Sequence, residues 1–427
     1  GRHMLQYLSQ QGNWRGANGQ SWAFDMPSRD DDEFESEDED GNITKRKSRF
    51  VCKGYSEVYG QDYWNVRSGV VDYASARMLI ALAAAECAEM WTYDVKSAAG
   101  VKCQWFDTLM RDSFKLSEDS GLDPARHYLG TKVTRDYEKK TITLSNPALI
   151  DSMLNDLVTA GHLGAESQPK QHPMASTKLE PLPEGSQGLN EKDYPYRTVV
   201  GVALHLSRTV RPDIALAVSE LSKYVSRYGP DHIRAANWLA LYLKGTPDLG
   251  ITYHGDCKPH LRNKLISFSD ADWAGDSTSR KSRSGYTLQL NLGPLEWYSR
   301  GQTLQSTSSC MSETIAAAEA AKSIVSHRLL LYELGYPQQG SSRLYVDNQA
   351  TVLNANGDKQ SKRSKHFQIR TELLRSFAEL GRVHVFKVHT DKNISDLHTK
   401  PLIGSKFTSM RDIMMGKNPD IDLLHLY

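Results

Sequence analysis

Four acidic residues draw attention by where they fall along the chain: Asp270, Glu313, Asp347 and Asp396. Asp270 follows the apolar run 265–268 and leads into Ala271-Asp272-Trp273-Ala274-Gly275, so it reads as the exit of a short strand ended by a glycine turn. A lone carboxylate at the end of a buried strand is costly to desolvate. It becomes sensible if it faces a cleft and holds a cation. Glu313 falls in the first turn of a long helix predicted over about 312–334. Asp347 ends a strand in Leu344-Tyr345-Val346-Asp347-Asn348, and Asp396 lies just beyond the last strand in Asn393-Ile394-Ser395-Asp396. Brought to one rim of a sheet, these carboxylates would repel one another. Two divalent cations remove that penalty, and oxygen-only ligands suit Mg2+ or Mn2+. Two such ions roughly 3.5–4 Å apart activate a water and stabilise the leaving oxygen in phosphodiester cleavage. That chemistry needs no histidine or cysteine nucleophile. The same positions also admit plainer roles: Glu313, after Ser312, as an acidic residue favoured by a helix dipole, and Asp347 as a turn residue.

The elements that must position these residues follow from the patterning. From residue 265 the sequence predicts three hairpin-linked strands (265–268, 286–290, 295–298), the long helix, a strand at 343–346, a helix around 370–380 and a strand at 383–388. This order gives a mixed α/β sheet with helices on its faces. Upstream, Pro212-Asp213 and Pro230-Asp231 each open a helix and Gly245 closes the second, with a further helix before them from near Tyr194 to Arg208. Residues 169–190, with Pro181, Pro183, Gly185 and Gly188, make the best linker. Before it come a helix at 75–90, a strand at 91–96 carrying Asp94, a hairpin over 128–145 turning at 136–140, and a helix at 148–158. Nearer the start, 49–55 reads as a short strand. The acidic run at 30–40, answered by Lys45-Arg46-Lys47-Ser48-Arg49, reads as a solvated loop or tail.

Bulk composition sets the outer limits. A chain of 427 residues, 39% hydrophobic and 24% charged, is long enough for two or three domains with real cores. The net charge of +1 leaves any nucleic-acid binding to local patches. Five cysteines without a CxxC pair speak against zinc and disulfide frameworks and fit a reducing intracellular compartment. The longest apolar segment, 76–91, is broken by Arg77, Glu86 and Glu89, so neither a membrane span nor a signal peptide is expected. Gly1-Arg2-His3-Met4 looks like a cloning scar.

Several stretches together resemble copia-type LTR retrotransposon Pol polyproteins. Phe268 through Asp276, Arg280-Lys281-Ser282-Arg283-Ser284-Gly285-Tyr286, Tyr345 through Ala350 and Asp396-Leu397-His398-Thr399-Lys400-Pro401-Leu402 are similar to that family's ribonuclease H domain. Tyr196 through Gly201, Arg211-Pro212-Asp213-Ile214 and Tyr242-Leu243-Lys244-Gly245-Thr246 resemble its thumb and connection helices. Gly41 through Tyr55 and Asp94-Val95-Lys96 resemble its reverse transcriptase fingers and first palm strand.

The resemblance implies that the four carboxylates bind two Mg2+ (or Mn2+) ions and cut the RNA strand of RNA–DNA hybrids. Met311 departs from the family pattern, standing where a second glutamate is usual beside the catalytic one. The polymerase half is cut short. Asp94 matches the first palm aspartate, but the Tyr-Val-Asp-Asp strand is absent, so polymerase activity is expected to be lost. The implied division is 1–12 tag, 13–168 truncated fingers and palm, 169–190 linker, 191–255 helical connection, 262–404 ribonuclease H-like domain and 405–427 tail. By resemblance the setting is a cytoplasmic virus-like particle or the nucleus.

Two basic groups are candidates for holding phosphate backbones without reading sequence: Arg280, Lys281 and Arg283, and Lys359, Lys362, Arg363, Lys365 and His366. Solvated loop residues are the plain alternative. Asn348 is placed to hydrogen-bond a ribose 2′-OH. His366, His384, His389 and His398 are candidates for proton shuttling or product release, beside the plainer role of surface histidines. Trp273 and Trp297 are expected in the core. Two rivals stand beside the nuclease: a decayed, non-catalytic relic, and a module that binds nucleic acid without cutting it.

Overall fold

The computed structural model describes residues 72–88, 90–92, 123–124, 126–128, 130–175, 179–275, 280–357 and 368–418, plus four short strand pieces nearer the start. Those pieces belong to a unit of residues 1–71 and form two antiparallel pairs, Trp14–Arg15 with Ser21–Trp22 and Glu35–Glu37 with Ile43–Arg46. The second pair sets Glu35 opposite Arg46 and Ser36 opposite Lys45, so part of the acidic run expected as a loop is strand. The expected strand at 49–55, Asp94, and the basic group at 359–366 lie outside the described residues.

Residues 72–427 form the second unit. Its first helix, α1 (Tyr73–Ala85), starts where the Asp72 carboxylate accepts from the Ala74 and Ser75 amides (2.8 and 2.9 Å). It stops five residues short of the expected end, because Cys87 turns into the left-handed region at φ 52°. The predicted hairpin is formed by β1 (Thr131–Asp136) and β2 (Thr141–Ser145), and helix α2 (Pro147–Thr159) follows. Proline punctuation sets the next helices: α3 (Tyr196–Thr209), then a 3-10 turn Pro212–Ile214 leading into α4 (Ala215–Ser222), then α5 (Pro230–Lys244).

Their shared motifs meet in one buried knot. Arg211 ion-pairs with Asp213 at 2.8 Å and donates to the Thr246 carbonyl, while the Tyr242 hydroxyl donates to Asp213. Burial opposes the charges of both partners, yet Arg211 and Tyr242 hold the Asp213 carboxyl below its usual range. Strand β3 (Ile251–His254) then pairs antiparallel with β2.

The sheet that carries the acidic residues has five strands: β4 (Ile266–Asp272), β5 (Arg283–Leu290), β6 (Gly293–Gly301), β7 (Ser342–Val346) and β8 (Val383–Lys387). The order across it is β6-β5-β4-β7-β8, antiparallel among the first three and parallel thereafter. This is the mixed α/β sheet with helices on its faces that the order of the elements leads one to expect. Strand β4 is central and almost wholly buried, as a strand covered on both faces must be. Helix α6 (Ser309–Glu333) packs on β4 and β5 through Ala316, Ala317, Ala320, Ala321 and Ile324, whose small side chains let it lie close. Helices α7 (Gln349–Ala355) and α8 (Gln368–Glu379) flank β8. Helix α9 (Gly404–Met414) opens the stretch expected as a tail and buries Phe407, Met410 and Met414. Among the described residues no helix is long and apolar enough to cross a membrane.

Upstream elements close over the outer strand β6. Arg77 of α1 donates to the Leu295 carbonyl (2.6 Å) and to the carbonyls of Arg208 and Thr209. Tyr253 of β3 donates to the Pro294 carbonyl (2.6 Å), and Trp297 of β6 donates back to the Ser207 carbonyl (2.6 Å).

Candidate active site

Asp270 does not end its strand. β4 continues to Asp272, and Asp270 lies inside it, paired with Gly285 of β5 and fully buried. Glu313 is not in the first helical turn either. Ser308 caps α6 by accepting from the Met311 amide, the helix begins at Ser309, and Glu313 falls in the second turn. That position removes the capping explanation, since a helix terminus acts only within its first turn. Asp347 follows β7 directly, half-buried, and its Oδ2 accepts from the Thr390 hydroxyl at 3.0 Å. One carboxylate oxygen from each of Asp270, Glu313 and Asp347 lies within 4.8 Å of the other two. Asp396 sits buried in a 3-10 turn, Ile394–His398, and joins this group through Lys400. The Lys400 ammonium is 2.8 Å from Asp396 Oδ1 and 3.1 Å from Asp270 Oδ1.

This density of negative charge has a cost. Two carboxylates at such a separation repel by about 3 kcal/mol at an effective dielectric near 20. Glu313 responds with a pKa pushed well above the usual range, by burial first and then by the charges of Asp270 and Asp347. Asp396 is pushed up to about 7, by burial and by Asp270, with Lys400 pulling the other way. Glu313 Oε2 is buried and has no hydrogen-bond partner. An orphaned buried oxygen, two neighbouring carboxylates and an all-oxygen donor set fit a hard divalent cation such as Mg2+ or Mn2+.

Two residues not singled out from the sequence shape this centre. The Thr399 hydroxyl donates to Asp270 Oδ2. Gly285 lets the Ile394–His398 turn press onto the sheet: a Cβ there would meet His398 Cβ at 2.7 Å, Thr399 Cγ2 at 2.8 Å and the Ser395 carbonyl at 3.2 Å. Lys400 was legible in principle, because it stands four residues after Asp396, a spacing that pairs opposite charges on a turn of helix.

The remaining expectations divide. Arg280 and Lys281 are exposed on the loop between β4 and β5. Arg283 is not on that loop. It opens β5, is buried, and binds Glu220 together with the Ser219 hydroxyl (2.7 Å), which joins the sheet to α4. Asn348 caps α7, its side-chain oxygen accepting from the Thr351 amide at 3.1 Å. Trp273, expected in the core, is 51% exposed and its indole donates to the Ser306 carbonyl. Trp297 is half-buried with the Arg77 guanidinium 4.2 Å from its ring centre. His384 and His389 are exposed. His398 is no surface histidine. It is fully buried, bonded to the Thr287 hydroxyl at 2.8 Å, and burial lowers its pKa to about 3, which holds the imidazole neutral. Met311 is buried, its sulfur 3.8 Å from the Thr307 hydroxyl. Asp94, Lys365 and His366 lie outside the described residues.

The chain is similar to several known proteins. The family model described as reverse transcriptase (RNA-dependent DNA polymerase) matches residues 32–103. The retrovirus-related Pol polyprotein from transposon TNT 1-94 of Nicotiana tabacum is 25% identical over 465 residues, covering 88% of this chain and 34% of that protein. The Pol polyprotein from transposon RE2 of Arabidopsis thaliana is 34% identical over 237 residues, covering 55% of this chain and 16% of that one. An RNase H domain from Mycobacterium tuberculosis aligns with a TM-score of 0.26 and 12% identity, over 32% of this chain and 90% of that one. The chain is thus similar to copia-type retrotransposon Pol polyproteins. It spans 34% or less of the length of these two plant relatives.

Proposed function

We propose that the chain acts as a ribonuclease H, hydrolysing the RNA strand of RNA–DNA hybrids at a centre formed by Asp270, Glu313, Asp347 and Asp396. One observation carries this: three carboxylates from two strands and a helix converge, with a buried Glu313 oxygen left without a partner. Two bound divalent ions would supply an activated water and charge stabilisation at the leaving oxygen. The chain's own residues prepare the place. Buried Asp270 and Glu313 form its dry floor, while half-buried Asp347 opens it toward solvent. Both Thr390 and Thr399 hold a carboxylate in orientation by donating to it. Arg280 and Lys281, on the exposed loop after the Asp270 strand, would neutralise phosphates without reading sequence. Lys365 and His366 are proposed for the same role. The Asn348 amide, next to Asp347, would contact the 2′-OH that marks the RNA strand. We assign no polymerase activity, because Asp94 lacks the partner carboxylates of a Tyr-Val-Asp-Asp strand. An intracellular setting follows from the same family reading.

The test is cleavage of a labelled RNA–DNA hybrid with Mg2+ or Mn2+, wild type beside Asp347→Asn. Metal-dependent cutting of the RNA strand that disappears in the variant supports the assignment. No cutting by a protein that melts cooperatively refutes it, and salt-sensitive hybrid binding in that case identifies a binding module instead.

A further inference from the structure

We propose that Lys400 is a positioning residue whose ammonium stands in for one of the two cations. On this basis the resting centre takes a single divalent ion tightly, and a second enters only as Lys400 withdraws. The inference rests on the ribonuclease H assignment and deepens it. The ammonium bridges Asp270 Oδ1 at 3.1 Å and Asp396 Oδ1 at 2.8 Å, so any cation held between those two carboxylates would have to displace it. Because Mg2+ binds oxygens at about 2.0–2.1 Å, it would need nearly the same space. Charge leads to the same conclusion. Two divalent ions balance four carboxylates by themselves, so an ammonium in the cluster is surplus once both are present.

The other half of the centre is differently equipped. Among the described residues, Glu313 Oε2 has no hydrogen-bond partner, and Asp347 receives hydrogen bonds from Thr390 and, at its main-chain carbonyl, from Lys387. No lysine or arginine bridges Glu313 and Asp347 among the ion pairs of the described residues, so these two, with Asp270, would hold the first ion. Lys400 also has a way out: a third of its side chain (34%) is exposed, while the two carboxylates it holds are buried. Its backbone stays fixed, since the Lys400 amide donates to the Asp396 carbonyl at 2.8 Å. The side chain can therefore leave without moving Asp396.

The experiment counts bound Mn2+ by electron paramagnetic resonance for the wild type, Lys400→Met and Lys400→Arg, with melting curves to verify folding. The expected result is a tight site and a much weaker one in the wild type. In Lys400→Met the weak site tightens by about tenfold or more, the scale of one removed charge contact, while Lys400→Arg stays like the wild type. Two equally tight sites in the wild type, or no tightening in Lys400→Met, overturn the inference and leave the nuclease assignment standing. No Mn2+ bound by any folded variant overturns both. If Lys400→Met does not fold, the wild-type lysine ammonium signal in nitrogen-15 NMR decides. Titrated with diamagnetic Mg2+, it should be protected from exchange without metal and through the first equivalent, and lost with the second; loss at the first equivalent overturns the inference.

Discussion

Replacing Gly285 by alanine should separate the two halves of the centre with one methyl group. The added Cβ would lie 2.7 Å from His398 Cβ and 2.8 Å from Thr399 Cγ2, where carbon atoms pack best at about 3.5–4.0 Å. The Ile394–His398 turn must therefore retreat by about 1 Å, taking Asp396 and Lys400 with it. Such overpacking costs about 1–3 kcal/mol, which lowers the melting temperature by on the order of 2 °C for each kcal/mol in a chain of this size. Function should suffer more than stability, because a misplacement of about 1 Å in a reacting constellation costs on the order of 100-fold in rate. Gly301 provides the control: it lies at the end of β6, and a Cβ there meets nothing within 4 Å. The assay is thermal melting beside cleavage of a labelled hybrid for wild type, Gly285→Ala and Gly301→Ala. Gly285→Ala that melts and cuts like wild type would refute the steric reasoning. A lower melt with unchanged cutting would refute the link from that turn to the centre.

Other consequences are open to measurement. In EDTA, Asp347→Asn should melt no lower than wild type at pH 7, because it relieves repulsion on Glu313, and it should lose the stabilisation that Mg2+ gives wild type; a variant still stabilised by Mg2+ to the wild-type extent would contradict this. The Asp396 carboxyl is raised from 3.8 to about 7, so between those values the native state holds a proton that the unfolded chain has released. Its contribution to metal-free stability is thus full below about pH 4, falls as pH rises toward 7, and is flat above; Asp396→Asn should remove that slope in pH-dependent melts. Arg283→Ala should cost about 1–2 kcal/mol by removing its charged hydrogen bond to Glu220, which keeps Lys223 at 2.9 Å, while the salt dependence of hybrid binding stays unchanged. A shallower salt slope would restore Arg283 as a phosphate contact.

What the sequence made legible was the skeleton. The strand order, the proline-started helices and the four acidic positions could be read because period, punctuation and charge are local properties. Partnership across the fold was not legible. Arg283 follows a serine-rich loop that carries Arg280 and Lys281 and looks solvated, yet its partner Glu220 lies 63 residues away. His398 and Trp273 were misjudged in opposite directions: the histidine slides under β5 because Gly285 has no side chain, and the tryptophan is turned outward just beyond the strand. Boundaries shifted too. Asp270 moved inside β4, and Glu313 moved out of the first turn, which removes its plain helix-dipole role.

The closure of β6 bears on how this protein can be handled. That strand is the outer edge of the sheet, and the carbonyls of Pro294 and Leu295 are occupied by Tyr253 and Arg77, both upstream of the sheet. A fragment trimmed to begin near residue 262 would carry the whole acidic centre but leave this edge bare. A bare edge strand is a template for pairing with another chain, so the excised piece would be prone to self-association and poor solubility. The upstream segment thus shields an edge that the sheet with the acidic centre does not cover by itself.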